Sequence, residues 1–414
     1  LLLETIEAVG LPRDFIKQNC VSLSTDGEYV NLGVGDKLNA LLGLEVSAEG
    51  PQVYHGWDVA HRLELCHSDA HKLVDIRGKL HDEMPSHFGA SYERIKRAAD
   101  ELNTRFYAPV AFCKTRWCAS ERRVFLNFKS NLLAIHRSDD DDPKAAYLDV
   151  RWVFTFVVML DVLEHMSRAS LLAQRVSLRP WQIWRSLCDY RDALIIVEAE
   201  LGMLAEAADP QAELTADDFI IEALPTLKEV DFVGYSWMGL ALWHPTKYTL
   251  KEVVSFAAGR AKTWIGALLR SFKTRLFGDI PEWLQMAEYT LGAKGLLDDG
   301  DLSILRYSYD RPVELGDGAF ESHGATKDEV FGRLATWVGN YTGQHLDIEA
   351  VVGQYATLRQ RVQADTASSS PQSLCMSSLW ERIHSDRSFF EGVGDALWIA
   401  GHLSLRENLR MNTN

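Results

Sequence analysis

The sequence predicts a chain that opens as α/β and continues as all-α. Three observations carry this. Cys20-Val21-Ser22-Leu23-Ser24 alternates apolar and polar residues, as a short strand does, and closes in the turn signal Thr25-Asp26-Gly27. From Asp58 the apolar spacing changes from two to three and four. Beyond Asp139 to Asp142, a run of four acids followed by Pro143, long segments keep that helical spacing.

The elements follow in order. Asp36 to Leu44 reads as a short helix and Gln52-Val53-Tyr54 as a second strand. Val59, Leu63, Cys66, Ala70 and Leu73 form one apolar stripe of a helix beginning near Asp58, a residue suited to the N-cap. Tyr92 to Leu102 and Cys118 to His136 are further helices. The acidic run reads as a solvated loop. After it come helices over Tyr147 to Gln174, Pro180 to about Ala207, Leu250 to Phe277, Val330 to Val338 and Ile348 to Val362. Pro180 suits a first helical turn, where its missing N–H is not needed. Ala367-Ser368-Ser369-Ser370-Pro371 reads as a linker, and Ser378 to Leu403 as a last helical segment. The domains expected are 1–137, mixed; 138–365, helical; 366–377, linker; and 378–414, completing the first. A mixed start implies a sheet with helices on its faces, and the middle implies a bundle.

Composition bounds the function. The chain has 414 residues, enough for two domains. Hydrophobic residues at 47% and charged residues at 24% exclude wholesale disorder. Lys plus Arg is 43 against 58 Asp plus Glu, a net charge of −15, which argues against coating nucleic acid over the whole surface. The longest strongly apolar run, Trp152 to Leu160, ends at Asp161 and falls short of the ~20 residues of a membrane span. The six cysteines form no CxxC pair, as suits reduced thiols in a nuclear or cytoplasmic protein. The opening Leu1-Leu2-Leu3, without Met, reads as a fragment.

Several residues could carry chemistry. Asp26 follows the first strand, where α/β sheets hold ligands, and with other carboxylates could bind Mg²⁺ or Mn²⁺ for phosphoryl transfer. Taken alone, Thr-Asp-Gly is also a common turn. Asp58 and His61 stand at one helix start and could share a hydrogen bond or a metal, or serve as a cap and a core histidine. His67 and His71, four apart, have a zinc-ligand spacing, but Ser68 stands where the HExxH motif has Glu, so they read as a surface pair. Lys251 to Phe277 holds Lys251, Arg260, Lys262, Arg270, Lys273 and Arg275 against one acid, Glu252, with Trp264 and Phe272 interleaved. Such a helix could track a phosphate backbone, or be one solvated face over a core Trp264. Ser385-Asp386-Arg387-Ser388-Phe389-Phe390 alone is an ordinary helix start. There is no P-loop, GxGxxG, GxSxG or C2H2 pattern.

The order of these signals is more specific than any one of them. Ser24-Thr25-Asp26-Gly27 with Asn31, then Tyr54-His55 and Asp58-Val59-Ala60-His61-Arg62-Leu63-Glu64-Leu65, then Thr115-Arg116-Trp117 before a helix, resembles the hAT (hobo/Activator type) DNA transposase superfamily. It looks closest to its zinc-finger-protein-like, often domesticated, members. Asp386-Arg387-Ser388-Phe389-Phe390, with Leu403-Ser404 and Leu409, is similar to the family's C-terminal box. The resemblance covers residues 20–135 and 385–410. It implies an RNase H-like core interrupted by a large helical insertion. Asp26 and Asp386 would match two of three metal-binding carboxylates, Asp58 and His61 a supporting motif, and Arg116 and Trp117 a DNA contact near the cleavage site. The C-terminal region would dimerise.

Departures from the pattern shape the expectation. The first carboxylate of the triad would precede Leu1, and Asp386 stands for a Glu. Asp58 stands for a Cys. Glu391 to Gly401 has no Lys or Arg, where the family has a basic stretch. Two carboxylates make a poor two-metal site. The expectation is a degenerate or domesticated relative, without efficient cleavage, that binds nucleic acid or protein in the nucleus. A fragment of an active transposase and an unrelated helical scaffold are the alternatives. An incomplete C-terminal core would expose Phe389, Phe390, Leu397, Trp398 and Ile399.

Overall fold

The computed structural model describes residues 2–8, 10–19, 22–25, 33–44, 54–57, 59–74, 92–108, 117–173, 179–206, 213–278, 282–292, 295–296, 326–367 and 392–403. The fold is mainly helical. The helices are α1 (Leu2–Ala8), α2 (Arg13–Asn19), α3 (Val34–Leu41), α4 (Val59–Leu73), α5 (Tyr92–Glu101), α6 (Trp117–Ser138), α7 (Val150–Ala173) and α8 (Pro180–Glu206). They continue as α9 (Leu250–Arg275), α10 (Glu282–Leu291), α11 (Lys327–Thr342), α12 (Ile348–Ala367) and α13 (Gly394–His402). Two strands, β1 (Ser22–Thr25) and β2 (Tyr54–Trp57), flank α3. The expected second strand lies two residues later than the sequence suggests.

The chain divides into two compact units. The first gathers Leu1–His61, Leu172–Cys188 and Asp279–Asn414. In it β1 and β2 pair in parallel, Ser22 opposite Tyr54 and Thr25 opposite Trp57. Parallel neighbours need a crossover, and α3 provides a helix within it. Leu38 and Leu42 join Leu3, Ile16 and Leu44 in a small core. The helices α10, α11 and α12 make a larger one. Phe331 stacks on Tyr355 with ring centroids 4.1 Å apart, and the Tyr355 hydroxyl donates to the Thr290 carbonyl at 2.8 Å. Burial pushes the Tyr355 phenol well above its ordinary range. Thr326 and Glu329 form a reciprocal capping box at the start of α11, and Gly343, at φ 70°, ends it in the left-handed conformation that glycine tolerates best. Gln354 Oε1 accepts the Asp395 N–H at 2.8 Å and so caps α13 from another helix. Leu397 and Ile399 are buried there, so they do not form the exposed patch considered above; Phe389 and Phe390 lie outside the described residues.

The second unit comprises Arg62–Leu171 and Asp189–Gly278. Its centre is α7, whose residues Val150 to Leu163 are buried on nearly every face, as the central helix of a bundle should be. Asp149 starts it: its Oδ1 accepts the Arg151 N–H at 2.8 Å. Phe156 stacks between Phe125 of α6 and Trp152, each at 5.0 Å. The acidic run is a turn at the end of α6, its three last acids exposed, while Asp139 accepts the Tyr147 hydroxyl at 3.1 Å. Burial and that acid raise the Tyr147 phenol above its ordinary range.

The middle is not wholly helical. A three-stranded antiparallel sheet, β3 (Val230–Asp231), β4 (Ser236–Trp237) and β5 (Leu240–Ala241), interrupts it. Met238 and Gly239, at φ 51° and 81°, form the two-residue hairpin turn with both central residues left-handed. Two-residue strands are too short to show a period of two, so the sequence pattern does not reveal them. Trp237 is buried and packs on Phe156.

Candidate functional site

Asp26, Asp58, Asp386 and Arg116 lie outside the described residues. Trp117 begins α6, but its side chain is also outside them. His61 sits half-buried in the first turn of α4, beside Val59 and Ala60, which pack on Ala173 and Ile183.

The basic helix α9 is fully described. Thr249 and Glu252 cap it reciprocally, Glu252 Oε2 accepting the Thr249 N–H at 2.7 Å. Trp264 is wholly buried, so it belongs to the core. Lys262 Nζ donates to Glu206 at 2.6 Å, which holds that carboxyl below its ordinary range. Arg275 Nε donates to Asp69 Oδ2 at 2.7 Å, and Ser271 Oγ donates to the same oxygen at 3.0 Å. Burial works to raise the Asp69 pKa, but these hydrogen bonds and one from Lys72 outweigh it and lower it. The Arg62 guanidinium donates to the Arg275 carbonyl, a favourable place for a cation at a helix C-terminus. Arg260 is half-buried, and Arg270 and Lys273 are exposed. Lys262 and Arg275 are thus committed to acids of this unit.

A different cluster is assembled from α4 and α6. His67 and Glu121 are wholly buried and His71 is half-buried. This corrects the reading of His67 and His71 as a surface pair. His67 follows Leu63 by four positions and precedes Ala70 by three, so it shares the buried stripe of α4, whereas Leu73 is exposed. Glu121 leads the α6 stripe of Phe125, Phe128, Leu132 and Ile135, all buried. The His67 and His71 Nε2 atoms lie 3.1 Å apart, and His67 Nε2 is 3.8 Å from Glu121 Oε2. The three residues each offer one ligand atom within 4.8 Å of the others. Trp264 walls the cluster, its ring 6.0 Å from that of His67 and 5.5 Å from that of His71.

The arrangement can hold a proton between the imidazoles or a cation among all three groups. Two imidazoles and a carboxylate are a borderline-soft set, suited to zinc rather than magnesium. Cys66, next to His67, points elsewhere in chemistry: burial pushes its thiol up to about 12, so it stays protonated and inert.

No family model matches the chain, and no curated protein or solved structure matches it. Among the described residues no helix is long and apolar enough to cross a membrane.

Sequence reasoning missed Glu121. A carboxylate at the head of an apolar stripe was its signal. Nothing in the sequence ties it to histidines about 50 positions earlier; only the packing of two helices does that.

Proposed function

We propose that the chain is a degenerate or domesticated relative of the hAT transposases, one that binds nucleic acid or protein without efficient cleavage. The observation that supports this reading is the β1–α3–β2 unit of the first compact unit. Its strands are parallel, and Thr25 stands opposite Trp57. These two residues immediately precede Asp26 and Asp58 in sequence. Ligands of open α/β sheets bind at the carboxyl ends of such strands, which is where an RNase H-like core would hold its carboxylates. Nucleic-acid contact falls to Arg270 and Lys273, the exposed cations of α9.

The test combines nicking of supercoiled DNA in Mg²⁺ or Mn²⁺ with binding of duplex DNA by fluorescence anisotropy over a salt series. The expected result is no nicking, and binding that weakens with salt and weakens further in the Arg270→Ala/Lys273→Ala double variant. Nicking that disappears in Asp26→Asn and in Asp386→Asn would instead establish an active enzyme. Absence of any DNA binding would remove the nucleic-acid role and leave the protein-binding scaffold.

A further inference from the structure

We infer that His67, His71 and Glu121 form a transition-metal site, with zinc the ion it fits, joining α4 to α6 inside the second compact unit. This is independent of the transposase reading, since none of the three residues belongs to the motifs that carry it.

The ligand chemistry comes first. Zinc takes histidine nitrogen and carboxylate oxygen at about 2.0–2.2 Å, so a tetrahedral ion sets neighbouring ligand atoms about 3.3 Å apart. Two of the three spacings between ligand atoms, 3.1 Å and 3.8 Å, bracket that value, and the third lies within 4.8 Å. The i, i+4 spacing of the histidines on one helix turns both rings to one side, and α6 supplies the third group from across the interface. Three protein ligands leave one position for water, the pattern of an open zinc site.

Burial adds the second argument. His67 and Glu121 have no exposed side-chain surface. The two Nε2 atoms at 3.1 Å can share one N–H between neutral rings, which leaves the buried Glu121 carboxylate beside them as the charge that a cation would balance. A proton would serve the two imidazoles alone, whereas a divalent ion would bond all three atoms at once. Imidazole ligands disfavour Mg²⁺ and Ca²⁺, which prefer oxygen.

The chain holds 13 histidines, so adventitious binding must be separated from the site. The experiment titrates the full, chelator-treated chain with Zn²⁺ by calorimetry. It follows Co²⁺ substitution by its visible absorption, and it uses His71→Ala and Glu121→Gln. His71 is only half-buried, so its variant tests the ligand with little disturbance of the core. Glu121→Gln keeps the shape and removes the charge. Circular dichroism of both metal-free variants confirms folding. The expected result is one tight equivalent of Zn²⁺ in the wild type and Co²⁺ bands of four-coordinate type. Affinity for that equivalent falls about 100-fold or more in His71→Ala, as loss of one of few ligands implies, and falls also in Glu121→Gln. A tight equivalent that persists unchanged in His71→Ala overturns the proposal, as does a wild type whose only binding is weak and shared by both variants.

Discussion

Two buried carboxylates in the same helical unit are handled in different ways. Asp161 sits in α7, and Glu121 in α6. Asp161 meets neutral donors: the Thr226 N–H at 2.8 Å on one oxygen and the Thr226 hydroxyl at 2.5 Å on the other. It thereby caps the 3-10 turn Pro225–Glu229, whose own N-cap, Leu224, has no side chain able to do so. Burial nevertheless raises its carboxyl to about 6, the Thr226 hydrogen bonds offsetting only part of the desolvation. Glu121 faces imidazoles, groups that accept a proton or a metal. The first carboxylate completes a backbone, and the second completes a binding set. What separates them is the partner's chemistry, because both are buried.

Three substitutions sharpen the contrast, and the largest effect is expected at Glu121. As a metal ligand Glu121 stabilises the chain through bound zinc, so Glu121→Ala should remove the gain in urea unfolding that Zn²⁺ gives the wild type, about 4 kcal/mol at a thousandfold excess of ion over its Kd. A Zn²⁺ gain that survives in the variant would place Glu121 in the same structural class as Asp161. The next effect is a pH slope. Asp161 titrates at about 6 folded against 3.8 as its ordinary value, so the folded state binds the extra proton between those limits. Stability from this group is therefore full below about pH 4 and is lost as pH rises through about 6, by roughly 3 kcal/mol. Asp161→Asn removes the charge and keeps the backbone hydrogen bond, its amide N–H donating to the Thr226 hydroxyl where the carboxylate accepted. Unfolding measured from pH 4 to 8 should show the variant gaining on the wild type by that amount, and a parallel pair of curves would refute the raised pKa. Smallest is Thr226→Val, which keeps the backbone donor and loses the hydroxyl. It should cost about 1–3 kcal/mol and steepen the pH slope, since the ionised Asp161 loses a donor.

The legibility of the molecule in its sequence divides along similar lines. Long helices announced themselves by apolar spacing, and α8 and α9 begin at Pro180 and Leu250, where the sequence reading places them. The sheet β3–β5 did not, because strands of two residues carry no period. Of the cluster, only the His67–His71 spacing was visible. Ser68 in place of the HExxH glutamate drew the reading toward the surface, whereas the carboxylate comes from α6. Membership of the buried stripe was the better guide: His67, Glu121 and Asp161 are each polar residues where the pattern calls for an apolar one. Asp26 and Asp386 carry the resemblance but lie outside the described residues, so their role rests on motif order.

The link from Asp161 to Thr226 also has a kinetic side. The Thr226 amide is held by a side chain 65 positions earlier in the chain, not by a neighbouring turn. Fraying of the short 3-10 turn cannot release it while α7 stays in place. In deuterated solvent that single proton should exchange only through openings that separate α7 from the turn, and so act as a clock for the cooperative opening of the whole unit.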